Sequence, residues 1–275
     1  MDGFYLVDVS RLRVSELIGV AYFLYLAAVS IFIRVPPARR FRVRLAASVV
    51  VTSTLAVALA PSNPVISAVR DWLPMVVILL AYYATGLFYI APSAPFEAWL
   101  RGWDDRLIGP ASFASIPAAA RVYLELVYDF CFALIPVGFC VLLWSGGVAS
   151  ADRFWTLVSI AEYVPFGTLP WLQARPPWAI EGVRDADATS VRRFSLSWVS
   201  RTTIHANTFP SGHASASLAV ALGLIDAAPW VAAGFGLLAV SIAVASIVGR
   251  FHYAIDAITG LLLAVGVWVV LTRCW

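Results

Sequence analysis

The sequence predicts an all-α fold, a polytopic membrane helical bundle of about eight spans. Of the 275 residues, 61% are hydrophobic and 13% are charged, whereas a soluble domain carries about 25% charged residues. Apolar runs long enough to cross a bilayer recur along the chain, separated by short polar segments. This composition excludes a soluble globular protein, and it makes the charged residues that remain candidates for function.

The predicted spans are eight apolar runs. They cover residues 17–33, 45–60, 73–91, 122–144, 154–172, 211–225, 230–248 and 253–271. The fifth run is interrupted by Pro165, Gly167 and Pro170, and such breaks are tolerated where the backbone is buried in protein or lines a wet cavity. We expect residues 1–72 to form an N-terminal extension with two spans, and residues 73–275 to form a six-span core.

A helix lying in the membrane interface is predicted within residues 94–121, between the third and fourth spans. Its apolar residues recur at steps of three and four, the spacing of one helix face; they are Phe96, Trp99, Leu100, Trp103 and Leu107. Charged residues from Glu97 to Arg106 are interleaved with them. An apolar face with tryptophans set against charges is typical of an interfacial helix.

All 19 basic residues are arginines, and their distribution bears on the orientation of the protein. Eight spans place loops 34–44, 94–121, 173–210 and 249–252 on one side, together with fourteen of the nineteen arginines. The positive-inside rule would put this side in the cytoplasm. The net charge of +3 is modest and gives no sign of nucleic-acid binding.

Two polar patches interrupt the apolar C-terminal half, and both lie on the arginine-rich side. The first contains Pro210-Ser211-Gly212-His213, which predicts a helix start with Pro210 in the first turn. The free N–H groups of that turn and the helix dipole make an anion site. Gly212 allows a ligand close approach, Ser211 adds a donor, and His213 is placed to protonate a leaving oxygen.

The second patch contains Arg250, His252 and Asp256. His252 and Asp256 are four residues apart, so on a helix they share one face. A carboxylate on one ring nitrogen fixes the tautomer and leaves the other nitrogen free as a nucleophile or base. Two histidines with arginines and helix amides suit phosphoryl transfer, which needs positioning and charge stabilisation. The third histidine, His205, fits neither patch and is predicted to be a loop residue.

These motifs resemble those of the type 2 phosphatidic acid phosphatase superfamily of membrane enzymes. The family motif Pro-Ser-Gly-His is matched in full at 210–213, and the motif Ser-Arg, five residues, His, three residues, Asp is matched at His252 and Asp256. The first motif, Lys, six residues, Arg-Pro, is matched at Arg175-Pro176. The run Arg175-Pro176-Pro177-Trp178 and the segment 103–107 are similar to the inositol phosphorylceramide synthase-like branch.

The resemblance covers roughly residues 73–272 and implies a six-helix phosphatase-like core. It also implies hydrolysis of a lipid phosphate through a phosphohistidine, without metal or cofactor. His252 would be the nucleophile, Asp256 would orient it, and His213 would protonate the leaving group. The residues that would hold the phosphate are Arg175, Ser211 and, through its amide, Gly212.

Two positions depart from the family motifs. Thr168 stands where the first motif has Lys, and Ser246 stands where the third motif has Arg. Both departures remove a cation that would hold phosphate. We expect Arg250 to replace the missing arginine, with Arg193 and Arg201 as weaker candidates.

Two other functions remain open. The enzyme could be a phosphotransferase, which passes the headgroup phosphate to a lipid alcohol instead of water. The protein could instead be a non-catalytic membrane protein that binds or transports lipid. Bacterial members of the family usually carry the site on the outer side, in conflict with the arginine count. We favour the family orientation, an extracytoplasmic site in the plasma (bacterial inner) membrane.

Other polar residues give weaker signals. Glu125 and Asp129, near the start of the fourth span, are placed to orient site arginines. Glu162 lies inside the interrupted fifth span and is a candidate for supporting the site. Asp185 and Asp187 have no third carboxylate at a spacing suited to a metal, and the three cysteines have no metal-ligand spacing.

Overall fold

The computed structural model describes residues 11–109, 113, 116–181 and 190–274, and over these residues the fold is all-α, as predicted. The helices are α1 (Val14–Phe32), α2 (Pro37–Leu59), α3 (Pro64–Gly86), α4 (Ala94–Leu107), α5 (Ala118–Trp144), α6 (Ala151–Thr168), α7 (Pro177–Glu181), α8 (Ser190–Thr202), α9 (Gly212–Gly223), α10 (Pro229–Val248) and α11 (Ala254–Cys274). A short 3₁₀ turn, Gly147–Ser150, precedes α6.

Each predicted span coincides with a helix. Six of the described helices are long and apolar enough to cross a membrane, namely α1, α2, α3, α5, α10 and α11, and the protein is a multi-pass membrane protein. The other two are shorter or more polar: α9 has 12 residues, and α6 carries Asp152, Arg153 and Glu162. Both pack at the centre of the bundle, where α6 contacts α1, α3, α9 and α11.

The second span starts earlier than the sequence pattern predicts. Helix α2 begins at Pro37, so the prediction of a loop over residues 34–44 is wrong from this residue onward. Proline suits a first helical position, and arginine is a good helix former. Helix α2 is therefore 23 residues long, which is enough for a span. Helix α3 also begins early, at Pro64, and the side chain of Asn63 accepts a hydrogen bond from Ile66 N at its start.

The predicted interruption of the fifth span is wrong at Pro165 and Gly167, because α6 runs through both residues and ends at Thr168. Proline has no N–H, so the carbonyl of Ala161, one turn earlier, loses its usual helical donor. The hydroxyl of Ser215 on α9 donates to this carbonyl at 2.6 Å. Another helix thus replaces the missing bond, which is how prolines are accommodated within membrane helices.

Helix α4 is confirmed as a helix. Its position in the membrane interface stays a prediction, and the exposure of its large apolar side chains is compatible with it. The residues facing the protein are Glu97, Leu100 and Asp104, all buried, whereas Trp99 is 45% exposed and Leu107 is 46% exposed. The helix therefore directs two carboxylates inward and its large apolar side chains outward. Both carboxylates contact arginines of the polar end of the bundle.

Candidate active site

The two polar patches meet at one end of the bundle, as the predicted topology requires. The rings of His213 and His252 lie with their centroids 5.7 Å apart and almost perpendicular, at 82°. The backbone joins the patches directly, because Ser211 N donates to the carbonyl oxygen of Asp256 at 2.9 Å. The candidate catalytic residues therefore lie at the junction of α9 and α11.

Helix α9 starts two residues later than predicted. Ser211 is its N-cap, and its fully buried hydroxyl accepts a hydrogen bond from Ala214 N at 3.3 Å. Pro210 precedes the cap, so its predicted place in the first turn is wrong. A serine N-cap satisfies one of the orphan amides of a helix. The hydroxyl accepts in this contact, so its own proton can still be donated. Gly212 is the first residue of the helix, and it lines a cavity.

His252 and Asp256 do not share a helix, because α11 begins at Ala254. His252 lies in the turn before α11, and its N–H donates to the carbonyl of Ser246 at 3.0 Å. Its Nδ1 nonetheless lies 3.5 Å from Asp256 Oδ2. This separation is longer than a good hydrogen bond, but it brings the carboxylate to Nδ1 and leaves Nε2 as the other ring nitrogen.

Asn207 is part of the site, and sequence reasoning missed it. Its Nδ2 donates to Asp256 Oδ2 at 2.8 Å, and the backbone N–H of Tyr253 donates to the same oxygen at 3.1 Å. Asp256 is fully buried, so these donors stabilise its charge. Asn207 also donates its backbone N–H to the carbonyl of Ala174 at 2.8 Å, which joins the segment before the first patch to the Arg175-Pro176 motif.

A cavity of about 360 Å³ opens beside the histidines. Its polar lining includes Glu162, Thr208, His213 and His252. Most of the remaining lining is apolar or aromatic and comes from α3, α5, α6 and α8. No arginine contributes to the lining within the described parts of the chain. His205 also lines it, from the loop between α8 and α9 where the sequence predicted it.

Aromatic rings hold His213 in place. Tyr128 and Phe132 of α5 meet its ring edge-on, with centroid distances of 5.6 and 5.4 Å. Tyr128 in turn stacks on Phe251, the neighbour of His252, at 3.9 Å. These rings occupy space around the imidazole, so they fix its orientation toward His252.

Arg175 is held by a carboxylate. Its Nε and Nη2 each lie 2.9 Å from a different oxygen of Glu97, and its backbone N–H donates to Glu97 Oε1 at 2.9 Å. These hydrogen bonds lower the pKa of Glu97 below its ordinary value. The Arg175 side chain is 43% exposed. In this arrangement the guanidinium faces Glu97 rather than the cavity.

Arg250 is also paired. Its Nη1 lies 2.7 Å from Asp104 Oδ2, and it forms a second ion pair with Glu181. Arg250 was expected to replace the missing motif cation, but in the structure its guanidinium is paired with two carboxylates. Arg193 and Arg201 lie on α8 with exposed side chains, and neither lines the cavity.

Arg192 was not among the predicted candidates. Its guanidinium carbon lies 4.9 Å from the centroid of Phe251, and Nη2 donates to the carbonyl of Gly249 at 2.8 Å. Burial lowers the pKa of this guanidinium. Helix α8 thus reaches the turn that carries His252, although arginine spacing alone could not distinguish this residue from Arg193.

The two residues that depart from the family motifs support the same backbone segments. Thr168 donates its hydroxyl to the carbonyl of Phe209 at 2.5 Å, just before the Pro-Ser-Gly-His motif. Ser246 is fully buried, and its carbonyl accepts from both Phe251 N and His252 N, at 2.8 and 3.0 Å. The Thr168 side chain thus ties the Pro-Ser-Gly-His motif to α6. Ser246 holds the turn before α11 through its backbone carbonyl alone, because its hydroxyl donates to the carbonyl of Ala243 in its own helix at 2.8 Å.

Of the other polar residues that the sequence indicated, Asp129 joins two helices and Glu162 lines the cavity. Asp129 accepts a hydrogen bond from the hydroxyl of Ser195 at 2.6 Å, which joins α5 to α8. Glu162 lines the cavity and is 7% exposed. Asp185 and Asp187 lie outside the described residues. Over the described ranges, no group of three or more histidine, cysteine, aspartate or glutamate residues is placed to hold a metal ion.

Comparison with known proteins agrees with the motif resemblance. A family model described as PAP2 superfamily matches residues 110–270, which contain His213, His252 and Asp256. No curated protein and no solved structure gives a significant match to the chain. Because the family match covers more than half of the 275 residues, the chain belongs to the PAP2 superfamily.

Proposed function

We propose that this protein is an integral membrane lipid phosphate phosphatase that hydrolyses a phosphomonoester or diphosphate through a phosphohistidine. The observation that carries the proposal is the pair of imidazoles, 5.7 Å apart, at one cavity, with a carboxylate 3.5 Å from Nδ1 of His252. Membership of the PAP2 superfamily supports a phosphatase-like enzyme in general.

In the first step, Nε2 of His252 attacks the terminal phosphorus. The bond that breaks is the P–O bond to the lipid alcohol in a phosphomonoester, or to the bridging oxygen in a diphosphate. Protonated His213 gives its proton to the leaving oxygen, so the lipid departs as an alcohol from a phosphomonoester and as a monophosphate from a diphosphate. Asp256 stabilises the positive charge on the His252 ring through Nδ1. The product of this step is a phosphohistidine at His252.

In the second step, water attacks the phosphorus and the P–N bond breaks. His213, now neutral, takes a proton from this water, and inorganic phosphate leaves. We expect the amide at the start of α9, at Gly212, to bind the phosphate oxygens, because a helix N-terminus attracts anions. Arg175 can bind the same phosphate oxygens only if its guanidinium leaves Glu97.

The apolar part of the cavity suits the lipid chain next to the phosphate. Its lining extends from the histidines along α3, through Tyr82 and Ile78 to Met75, and along α8 at Trp198. Ligand cavities of about 300–1,000 Å³ with mostly apolar walls and a few polar groups are typical of small-molecule sites. We therefore expect a substrate that carries its phosphate on a hydrocarbon chain.

Transfer to an alcohol is the second candidate function, and Glu162 is the residue through which it can be tested. Its carboxyl group is buried and faces the cavity, with no hydrogen-bond partner among the described residues. Its Oε2 lies 2.9 Å from where a Cβ on Gly212 would be, so it is close to the proposed phosphate site. A carboxyl group at this place can accept a hydrogen bond from an alcohol that replaces water.

Phosphate release by the purified protein in detergent tests both functions. The substrates are a diacyl phosphomonoester and an isoprenoid diphosphate, each with and without EDTA and with and without an added lipid alcohol. His252→Ala is compared with Arg153→Ala, which lies at the opposite end of the bundle. Glu162→Gln is measured for the ratio of phosphorylated alcohol to free phosphate.

We expect phosphate release that survives EDTA, is lost in His252→Ala and is retained in Arg153→Ala. Activity that EDTA abolishes would contradict the phosphohistidine mechanism. A phosphorylated alcohol whose share falls in Glu162→Gln would favour transfer over hydrolysis. A folded protein that neither releases nor transfers phosphate would favour a non-catalytic lipid-binding or transport protein.

We propose the extracytoplasmic face of the plasma (bacterial inner) membrane for the site, as the family orientation implies. The test uses a membrane-impermeant maleimide on intact cells. Asp105→Cys places a thiol on α4 at the site end, whereas Cys274 lies at the opposite end of α11; both positions are exposed. Labelling of the new cysteine before permeabilisation supports this orientation, and labelling of Cys274 instead supports a cytoplasmic site.

A further inference from the structure

The candidate nucleophile lies in a short irregular turn between α10 and α11. His252 precedes α11 by two residues, and Arg250 in the same turn has a left-handed backbone conformation, with φ of +59°. Non-glycine residues adopt this conformation only at an energetic cost. The helices alone therefore do not fix the imidazole, and other contacts must hold the turn.

Asp104 of α4 contacts the turn on both sides of His252. Its Oδ1 accepts a hydrogen bond from Ala254 N at 2.7 Å, and its Oδ2 accepts from Arg250 Nη1 at 2.7 Å. These partners stand two residues after and two residues before the histidine. One carboxylate thus spans the turn with two short, charge-assisted hydrogen bonds.

The contact on the C-terminal side caps a helix. Ala254 is the first residue of α11, so its N–H has no partner within the helix. A carboxylate from another helix satisfies this amide, and its charge interacts favourably with the helix dipole. Asp104 is 7% exposed, so little water competes for the amide.

The contact on the N-terminal side makes Arg250 a junction of three segments. Its guanidinium also pairs with Glu181 of α7, and its carbonyl accepts a hydrogen bond from Trp178 N at 2.9 Å. Arg250 therefore links the turn to α4 and to the residues that follow the Arg175-Pro176 motif. Its positive charge is paired with two carboxylates, those of Asp104 and Glu181.

We propose that Asp104 is a positioning residue for His252, with Arg250 as its counter-ion rather than a ligand of the substrate phosphate. Asp104 fixes the turn so that His252 keeps its approach to Asp256 and to His213. This inference rests on the proposed function only in taking His252 as the nucleophile. It assigns a role to an α4 carboxylate outside the histidine–aspartate motifs.

Kinetics of Asp104→Asn against Asp105→Asn test the proposal, because Asp105 is its exposed neighbour on the same helix. We expect kcat to fall about 100-fold in Asp104→Asn with KM almost unchanged, since misplacement by about 1 Å has effects of this size. Inhibition by inorganic phosphate should be as strong in Arg250→Gln as in the unaltered protein. A much weaker inhibition would make Arg250 a phosphate ligand and overturn its assignment as a counter-ion.

A second readout does not depend on turnover. Diethyl pyrocarbonate acylates accessible histidines, and the chain has only three, so peptide mass spectrometry can follow each one. We expect faster acylation of His252 in Asp104→Asn, with the rate at His205 unchanged. If Asp104→Asn does not fold, Arg250→Gln breaks the same contact from the other side and is measured in its place.

Equal acylation rates at His252 in Asp104→Asn and Asp105→Asn would overturn the proposal, whatever the activity. A protein that acts on no lipid phosphate would overturn the proposed function, while the acylation rates would still decide the role of Asp104. A fall in kcat without any change at His252 would also contradict positioning, because the loss would then arise elsewhere.

Discussion

At the scale of single residues, the buried carboxylate of Asp256 depends on its donors. Asn207 supplies a side-chain hydrogen bond at 2.8 Å and Tyr253 supplies a backbone one at 3.1 Å, both to Oδ2. His252 lies 3.5 Å from the same oxygen. Asn207 therefore holds the carboxylate oxygen that faces the imidazole, although it belongs to none of the sequence motifs.

The substitution Asn207→Asp tests this arrangement with almost no change in shape. It places a second carboxyl group within about 3 Å of the first, where two carboxylates do not both ionise. At low pH one of them is protonated and can donate the lost hydrogen bond; at high pH the pair repels. We expect the loss in thermal stability relative to the unaltered protein to grow as pH rises from 5 to 8, measured by thermal unfolding in detergent. A loss independent of pH would show that the two groups do not interact.

The Glu97–Arg175 pair predicts a different dependence on pH. Because Arg175 hydrogen bonds lower the pKa of Glu97 in the folded protein, the pair stabilises the fold fully above the unfolded pKa of glutamate, about 4.3. This stabilisation is lost as pH falls through the lower, folded pKa. We expect Glu97→Gln to be less stable than the unaltered protein at pH 7 and to approach it at pH 3. An equal difference at both pH values would contradict an ionic contribution from Glu97.

At the scale of elements, the site depends on how closely α11 approaches α9. A Cβ on Gly260 would lie 2.5 Å from the carbonyl oxygen of Ser211 and 3.2 Å from Ala214 Cβ. Gly260 is thus in contact with the cap and first turn of α9, next to His213. The two helices can bring the two histidines together only because this position carries no side chain.

We therefore expect Gly260→Ala to lower the free energy of unfolding by about 1–3 kcal/mol, as overpacking does, and to reduce activity by displacing α9. Gly266→Ala on the same helix is the control, because a Cβ there meets nothing within 4 Å. Both substitutions add the same helix propensity, so the difference in unfolding free energy between the two variants reports the contact with α9. Thermal unfolding and phosphate release are measured for both variants. Equal stability and equal activity in the two would refute the close-packing argument.

The sequence predicts the helices well because the apolar runs are long and the bilayer fixes their length. It fails at boundaries such as Pro37, where arginines continue a helix that polarity alone would end. It also fails at Pro165, because the compensating hydroxyl of Ser215 comes from a helix about fifty residues away. Contacts between distant segments leave no periodic signal in the sequence.

In the site, too, local motifs are predictable from the sequence, whereas contacts between distant segments are not. The motifs predict the positions of His213 and His252 because their spacing places both at one end of the bundle. Asn207, Asp104 and Arg192 act through contacts that span many residues, and their spacing carries no information about them. The pattern of α4 predicts an interfacial helix but does not indicate which of its charged residues lies against the protein, and here Asp104 is buried.

At the scale of the whole molecule, polar contacts concentrate at the two ends of an apolar bundle. The end opposite the site contains its own ion pairs, and Glu16 is the most buried of their carboxylates, with 1% side-chain exposure. Arg70 binds both of its oxygens at 2.7 Å, and Arg13 N donates to it at 2.8 Å. This end joins α1 to α3 and contains none of the proposed catalytic residues.

Removal of Arg70 should therefore separate stability from chemistry. Arg70→Ala leaves Glu16 buried without its ionic partner, which costs about 3–5 kcal/mol in comparable buried pairs. Arg153→Ala at the same end breaks a pair whose partner, Asp226, is 74% exposed, and exposed pairs contribute about 1 kcal/mol or less. We expect a large drop in Tm for Arg70→Ala and a small one for Arg153→Ala, with kcat per folded molecule unchanged in both. A fall in kcat in Arg70→Ala at temperatures where it stays folded would mean that the two ends are coupled through α3 and α6.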